Sequence, residues 1–165
     1  MDDIDVKILA LLQEDATLKV ADVAKRVNLS PTACWRRIQN LEADGVIRRR
    51  VTLLDSRKLN AGVTVFVAIK TNQHNTAWLE RFAKIVEAIP EVVEFYRMSG
   101  EVDYLLRVVV PDIAGYDAVY KKLIKSIELS DVSSSFAMEQ IKYTTALPLD
   151  FIEGVNGDTR VRNRG

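Results

Sequence analysis

The chain has one cysteine and one histidine in 165 residues. A lone Cys34 excludes a disulfide framework within the chain and points to a reducing, cytoplasmic setting. With His74 the sole histidine, a structural zinc site lacks its ligand set, so no metal is expected. No apolar run approaches the ~20 residues of a membrane-spanning helix. The acidic start MDDID is unlike a signal peptide, so no membrane partner is expected. No nucleophile–base pair and no phosphate loop stand out, which argues against an enzyme and against a cofactor. Charge of either sign is not in excess, with 23 basic and 23 acidic residues. Composition alone therefore selects no partner. At 48% apolar content the length suits two small domains that pack or associate.

What is present is a well-punctuated helix in LSPTACWRRIQNLEADGVI, residues 29–47. Ser30 can cap the free N–H groups of the first turn. Pro31 follows at the first helical position, where a missing N–H does no harm. Gly45 supplies the left-handed stop. At about 100° per residue, Cys34, Ile38 and Leu41 form one buried stripe. Thr32, Arg36 and Gln39 fall opposite, with Asn40 and Trp35 flanking. Threonine, arginine, glutamine and asparagine are residue types that read base edges and hold phosphates. Arg37 lies nearer the buried side, where a structural ion pair competes with a DNA contact. Cys34 points inward and reads as a small packed hydrophobe.

A charged outer face on an isolated helix is ordinarily just solvated. The surroundings favour more. Residues 20–27, VADVAKRV, form a short helix joined through Asn28-Leu29-Ser30, short enough for a helix-turn-helix corner. Asp3 to Leu12 forms a helix ahead of it, with acidic residues in its first turn. VIRRRVTLLD behind it suggests a strand pair or wing edge. It carries Arg48, Arg49 and Arg50; three adjacent arginines in a strand cannot all face one way, so at most two are expected on phosphates. Residues 20–50 hold seven basic residues against three acidic, whereas residues 61–150 hold nine against twelve. Positive charge thus gathers where DNA would sit. The candidate DNA-binding set is Ser30, Thr32, Trp35, Arg36, Arg37, Gln39, Asn40, Arg48 and Arg49. A dimer would present two such faces to two half-sites.

The second half changes period. Val63 to Thr71 alternates as a strand, Asn75 or Thr76 can cap a helix that Pro90 ends, and Val92–Ser99 with Tyr104–Val110 make a hairpin. Asp112 opens another helix, and Val132–Tyr143 reads as the last strand. This is the split βαβ order of a ferredoxin-like sandwich. One face of its antiparallel sheet takes the helices, and the other, left bare, tends to pair with a copy of itself. The expected class is α+β: a winged helix-turn-helix domain over 1–50, a hinge or linker strand over 51–62, a ferredoxin-like βαββαβ domain over 63–147, and a flexible tail over 148–165.

Up to about Asp150 the chain resembles the leucine-responsive/asparagine-regulator (Lrp/AsnC, feast/famine) family of bacterial and archaeal transcription factors. The resemblance rests on Asp5, Ile8 and Leu9 as DxxIL, on LSPTACWRRIQNLEADGVI against LSxxxxxRRIxxLExxGVI, on LLDSRKLNAG, and on GEVDYLLRV against a G-x-x-D-Y hairpin. SSFAMEQIKYTT looks closest to the family's cysteine-detoxification regulators. The resemblance implies a DNA-binding regulator, cytoplasmic and nucleoid-associated. It further implies a homodimer that builds to an octamer, and a free amino acid such as leucine or cysteine bound between dimers. An amino acid needs acceptors for its ammonium and donors for its carboxylate. Gly100 allows close backbone approach, and loop N–H groups around Glu101 and Val102 can hold a carboxylate. Asp103 can accept from the ammonium. Met98, Ser99 and Tyr104 can shape the pocket, with Ser133, Ser135, Thr144 and Thr145 offering hydroxyls from the same or a neighbouring chain. The residues alone leave Gly100–Asp103 equally readable as a tight hairpin. They also leave open a winged-helix adaptor without a DNA target, or a ligand-binding regulator acting on an enzyme.

Overall fold

Asp2 starts the first helix in the computed structural model, which describes residues 1–152. Its carboxylate accepts from the N–H groups of Ile4 and Asp5, and Asp5 returns a bond to the Asp2 N–H, closing a capping box. Helix α1 runs Asp3–Glu14, α2 runs Val20–Arg26 and α3 runs Pro31–Ala43. The corner before α3 turns at Asn28, which takes a left-handed φ of 56°. The Leu29 N–H reaches back to the Ala24 carbonyl at 2.9 Å. Ser30 caps α3 by accepting from the Ala33 N–H at 3.2 Å. Gly45 ends it at φ 72°, letting the Ile47 N–H reach the Leu41 carbonyl at 3.0 Å. Ile8, Val23, Ala24, Val27, Cys34, Ile38 and Leu41 make the core. Val6 is buried too, an inward position missed by the apolar spacing of α1.

The described contacts divide the chain into two units. One holds Met1–Thr52 together with Lys142 onward, and the other is Leu53–Ile141. In the first, the Gln13 side-chain amide meets the Leu147 backbone twice. It donates to the carbonyl at 3.1 Å and accepts from the N–H at 2.9 Å. One expectation fails here. No strand forms among the described residues of 46–62, because a ladder needs a second strand alongside and none is there; the linker instead holds a 3-10 turn at Ser56–Leu59. At residues 149–152 a turn forms, with the Ile152 N–H on the Leu149 carbonyl at 3.3 Å. The tail's Arg160, Arg162 and Arg164 lie outside the described residues.

The second unit runs β1 (Val63–Lys70), α4 (Thr76–Glu87), β2 (Val92–Arg97), β3 (Tyr104–Val110), α5 (Ile113–Ser126) and β4 (Asp131–Phe136). Its sheet order is β2-β3-β1-β4, antiparallel throughout, the βαββαβ sandwich expected. Asn75 caps α4 through the Trp78 N–H and Asp112 caps α5 through the Gly115 N–H. Alternation puts Val65, Val67, Ile69, Tyr104, Leu106, Val108 and Val110 on the helix side, packed on Phe82, Val86, Val119 and Leu123. The last strand stops at Phe136 instead of reaching Tyr143. Beyond the bond from Ala137 N–H to the Thr64 carbonyl, β1 has no further residues to pair, since it begins at Val63. Among the described residues no helix is long and apolar enough to cross a membrane.

The Arg37 guanidinium bridges Asp2 at 2.8 Å and Asp5 at 2.7 Å, fastening the start of α1 to α3. The Asp5 N–H and Arg37 together hold the Asp2 carboxyl below the usual carboxylate range. A depressed carboxylate contributes stability above its ordinary pKa and loses it as pH falls through the lowered value. Arg37→Ala is expected to lower unfolding stability at neutral pH by about 0.5–1 kcal/mol. The gap to the parent should shrink below about pH 4 in denaturant titrations. An unchanged gap across that range would remove the carboxylates from the explanation.

Candidate nucleic-acid interface and effector loop

Helix α3 turns its buried stripe of Cys34, Ile38 and Leu41 inward, as the periodicity predicts. Burial pushes the Cys34 thiol up, so it stays a protonated packing group. The opposite side leaves Thr32, Trp35, Arg36, Gln39 and Asn40 exposed, with Trp35 at 54% of its surface in solvent. Thr32, Arg36 and Asn40 recur every four residues and line one wall of an open groove of about 720 Å³, whose other wall includes Met1 and Asp5. Ser30 borders the same groove, although its hydroxyl already serves the helix cap.

The other members of the expected set are placed differently. Arg37 is half-buried, and its Nη1 is held by Asp2 and Asp5 at the border of the same groove. The fold uses this end of its guanidinium as a fastener. Gln39 donates to Glu42 Oε2 at 2.8 Å, and Glu42 Oε1 accepts from Arg50 at 3.0 Å. Arg50 thus reaches back to α3. Arg48 and Arg49 are exposed, and among the described residues neither they nor Arg36 make an ion pair. Only the i, i+3 spacing of Gln39 and Glu42 was a readable sign of this small network.

In the second unit the β2–β3 connection is closed by the Met98 N–H on the Asp103 carbonyl at 2.8 Å. Gly100 sits at φ 123° with open space where a Cβ would stand, so the turn needs glycine for its backbone alone. Asp103 is largely structural. Its Oδ2 accepts from the Thr71 N–H at 2.8 Å, and its own N–H donates to the Ile69 carbonyl at 3.1 Å. Its Oδ1 stands 3.9 Å from His74 Nδ1. A cavity of about 130 Å³ opens here, lined by His74, Asn75, Arg97, Met98, Asp103 and Tyr104 among others. His74 and Arg97 were not singled out from sequence, and nothing in their spacing marks them.

The remaining expected effector residues scatter. Tyr104 is 5% exposed, its ring centroid 5.4 Å from Phe82 and 5.6 Å from both Phe95 and Trp78, so most of it belongs to the core. Ser99, Gly100 and Glu101 are exposed, Val102 is half-buried, and Glu101 pairs with Lys70 at 3.0 Å. Ser133 and Ser135 stand on β4 opposite Ala68 and Phe66, at the far edge of the sheet from the hairpin. Thr144 and Thr145 lie in the other unit, with the Thr144 hydroxyl accepting from the Ala146 N–H. Within the second unit Met98, Asp103 and Tyr104 line one cavity, and Ser133 and Ser135 do not.

Residues 1–48 match the winged helix-turn-helix DNA-binding family, and residues 64–147 match the Lrp/AsnC ligand binding domain. The chain is 53% identical over 149 residues to the glutamate uptake regulatory protein of Zymomonas mobilis, covering 90% of this chain and 91% of that one. It is also 53% identical over 151 residues to the DNA-binding transcriptional activator DecR of Escherichia coli (strain K12), covering 91% and 99%. An AsnC family transcriptional regulator from Agrobacterium tumefaciens superposes with a TM-score of 0.89 at 68% identity, over 92% of this chain and 99% of that one. A transcriptional regulator of Neisseria meningitidis, solved as its L-Met complex, superposes with a TM-score of 0.86 at 35% identity, over 91% and 97%. These relatives are transcriptional regulators and not enzymes. A helix-turn-helix with a free outer face, followed by a βαββαβ ligand-binding domain, makes this chain a member of the Lrp/AsnC family of DNA-binding transcription regulators.

Proposed function

We propose that the chain is a cytoplasmic, nucleoid-associated regulator that binds double-stranded DNA as a homodimer and answers to a small free amino acid. The observation that carries the DNA reading is the outer face of α3. It keeps Thr32, Arg36 and Asn40 in solvent along one groove, at whose border Arg37 is tied to Asp2 and Asp5. Arg36, Gln39 and Asn40 read base edges, Thr32 and Trp35 flank them, and Ser30, Arg48 and Arg49 hold phosphates. Arg37 serves indirectly by fixing α3.

The effector reading rests on the hairpin and on the L-Met complex of the Neisseria relative. Asp103 Oδ1 takes the ammonium, and loop N–H groups around Gly100, Glu101 and Val102 take the carboxylate. Met98, Ser99 and Tyr104 bound the side chain, and Ser133, Ser135, Thr144 and Thr145 complete the site from a neighbouring copy. The two relatives at 53% identity bear different names, one for glutamate uptake, so the cysteine branch is one candidate among several effectors. Dimers assemble towards an octamer, and the amino acid shifts that assembly because it binds its states with unequal affinity; equal affinity would shift nothing.

Arg36→Ala is expected to weaken promoter binding about tenfold or more with an unchanged melting temperature. Gln39→Ala should do the same. Parent-like binding by both variants in a gel-shift titration would overturn the assignment of this face. Parent binding should also fall steeply with rising salt through counterion release; salt-independent retention, or none, would favour a protein-docking role for the winged helix. For the effector, sedimentation and thermal shift with each of the twenty amino acids should single out a ligand that raises stability and changes assembly. Flat results for all twenty would sink the effector reading.

A further inference from the structure

The last turn of α3 holds a carboxylate in a place that disfavours one. The C-terminal end of a helix repels negative charge, and so do the phosphates of DNA lying along its outer face. Glu42 is nevertheless there, half-buried, with no basic residue in the same turn. Its two oxygens serve different partners. Oε1 accepts from the Arg50 guanidinium at 3.0 Å, and Oε2 accepts from Gln39 Nε2 at 2.8 Å. Arg50 offsets the charge, and the remaining oxygen holds an exposed amide on the face that meets DNA.

An amide has an oxygen end that accepts and a nitrogen end that donates, whereas a carboxylate accepts only. Glu42 therefore admits the nitrogen end of Gln39 and turns the oxygen end away. Among the described residues no donor meets that oxygen. An untethered glutamine can turn its amide over and offer a base either end. Here turning it over would set oxygen against oxygen. In the major groove adenine and cytosine present an exocyclic amino donor, and guanine and thymine present a keto acceptor. We propose that Glu42 is a positioning residue that sets base preference through Gln39. It fixes the Gln39 oxygen outward, so that α3 selects a base bearing an exocyclic amino group where Gln39 meets the DNA. Arg50 holds Glu42 in place for this. The proposal rests on the reading of Gln39 as a base-edge residue and adds which end of its amide does the reading.

The test uses the full chain and a pool of DNA duplexes randomised over about 20 base pairs, room for two half-sites. Duplexes bound by the parent, Gln39→Ala, Glu42→Gln and Glu42→Ala are sequenced. The parent should favour amino over keto bases about tenfold at one position of each half-site. Gln39→Ala should even out that position alone. Glu42→Gln keeps the shape of the side chain but gives it one oxygen and one nitrogen. Arg50 can only donate, so the oxygen goes to Arg50 and the nitrogen faces Gln39. The Gln39 amide must then turn over, and the same position should favour guanine or thymine about tenfold. Glu42→Ala should leave it even. Anything short of a keto majority with Glu42→Gln would overturn the proposal, while Gln39 stays the reader through its own variant. A preference lost in Glu42→Ala but kept in Gln39→Ala would give the base contact to Glu42 itself and overturn the proposal too. If no position responds to Gln39→Ala, the base-edge reading falls and this proposal with it. Should Glu42→Ala fail to fold, the isosteric Glu42→Gln decides alone.

Discussion

The rotation of α3 about its own axis decides almost everything this protein can do with DNA. That rotation is set by three side chains, Cys34, Ile38 and Leu41, which are 0%, 2% and 4% exposed. They pack on Val23, Ala24 and Ile8, so the stripe meets both other helices. A helix held this way has one rotation that buries its apolar side. Thr32, Arg36 and Asn40 then face outward with no interaction of their own needed to point them there. The Arg37 bridge to Asp2 and Asp5 adds a polar latch at the start of α1, close to the groove on which the outward residues border. Packing supplies the aim, and the latch holds one end of it.

The second unit shows the same logic with period two. Its helix-side residues along β1 and β3 are fully buried, which fixes register, because a one-residue slip would turn every valine out. Register in turn places Arg107 beside Glu94 on the other face and brings Asp103 to the Thr71 N–H at the end of β1. Asp103 anchors its loop with one carboxylate oxygen and turns the other towards His74. A group tied on one side in this way presents its free oxygen in a defined direction, which is what recognition of a small ammonium requires.

Local rules were legible in the sequence, and distant partners were not. Ser30, Asp112 and the choice between Asn75 and Thr76 could be read as caps because capping depends on a few neighbouring residues. The strands 63–70 and 104–110 could be read from alternation, and with them the βαββαβ order. The extent of β4 could not, since a strand ends where its partner ends, and Val63 is some seventy residues from Phe136. The strand expected after α3 failed for the same reason: alternation and β-branched residues in VIRRRV do not supply a second strand. Arg37 was readable as ambiguous, but its carboxylates lie 32 and 35 positions earlier. Of the candidate effector site, the hairpin residues were legible from the resemblance. His74 and Arg97 beside them were not, because only folding brings the α4 cap and the end of β2 to one cavity.

The two bonds between Gln13 and Leu147 span 134 positions. Their consequence concerns the order in which the protein is made. Chains emerge from the ribosome N-terminus first, and the contacts within α1, α2 and α3 are complete once the first fifty or so residues are free. The side-chain amide of Gln13 must then wait in solvent while the whole sheet is synthesised. The residues of the three-helix core therefore precede this contact in the order of synthesis. Only when residue 147 arrives does the far end of the chain come home to the helix with which it began.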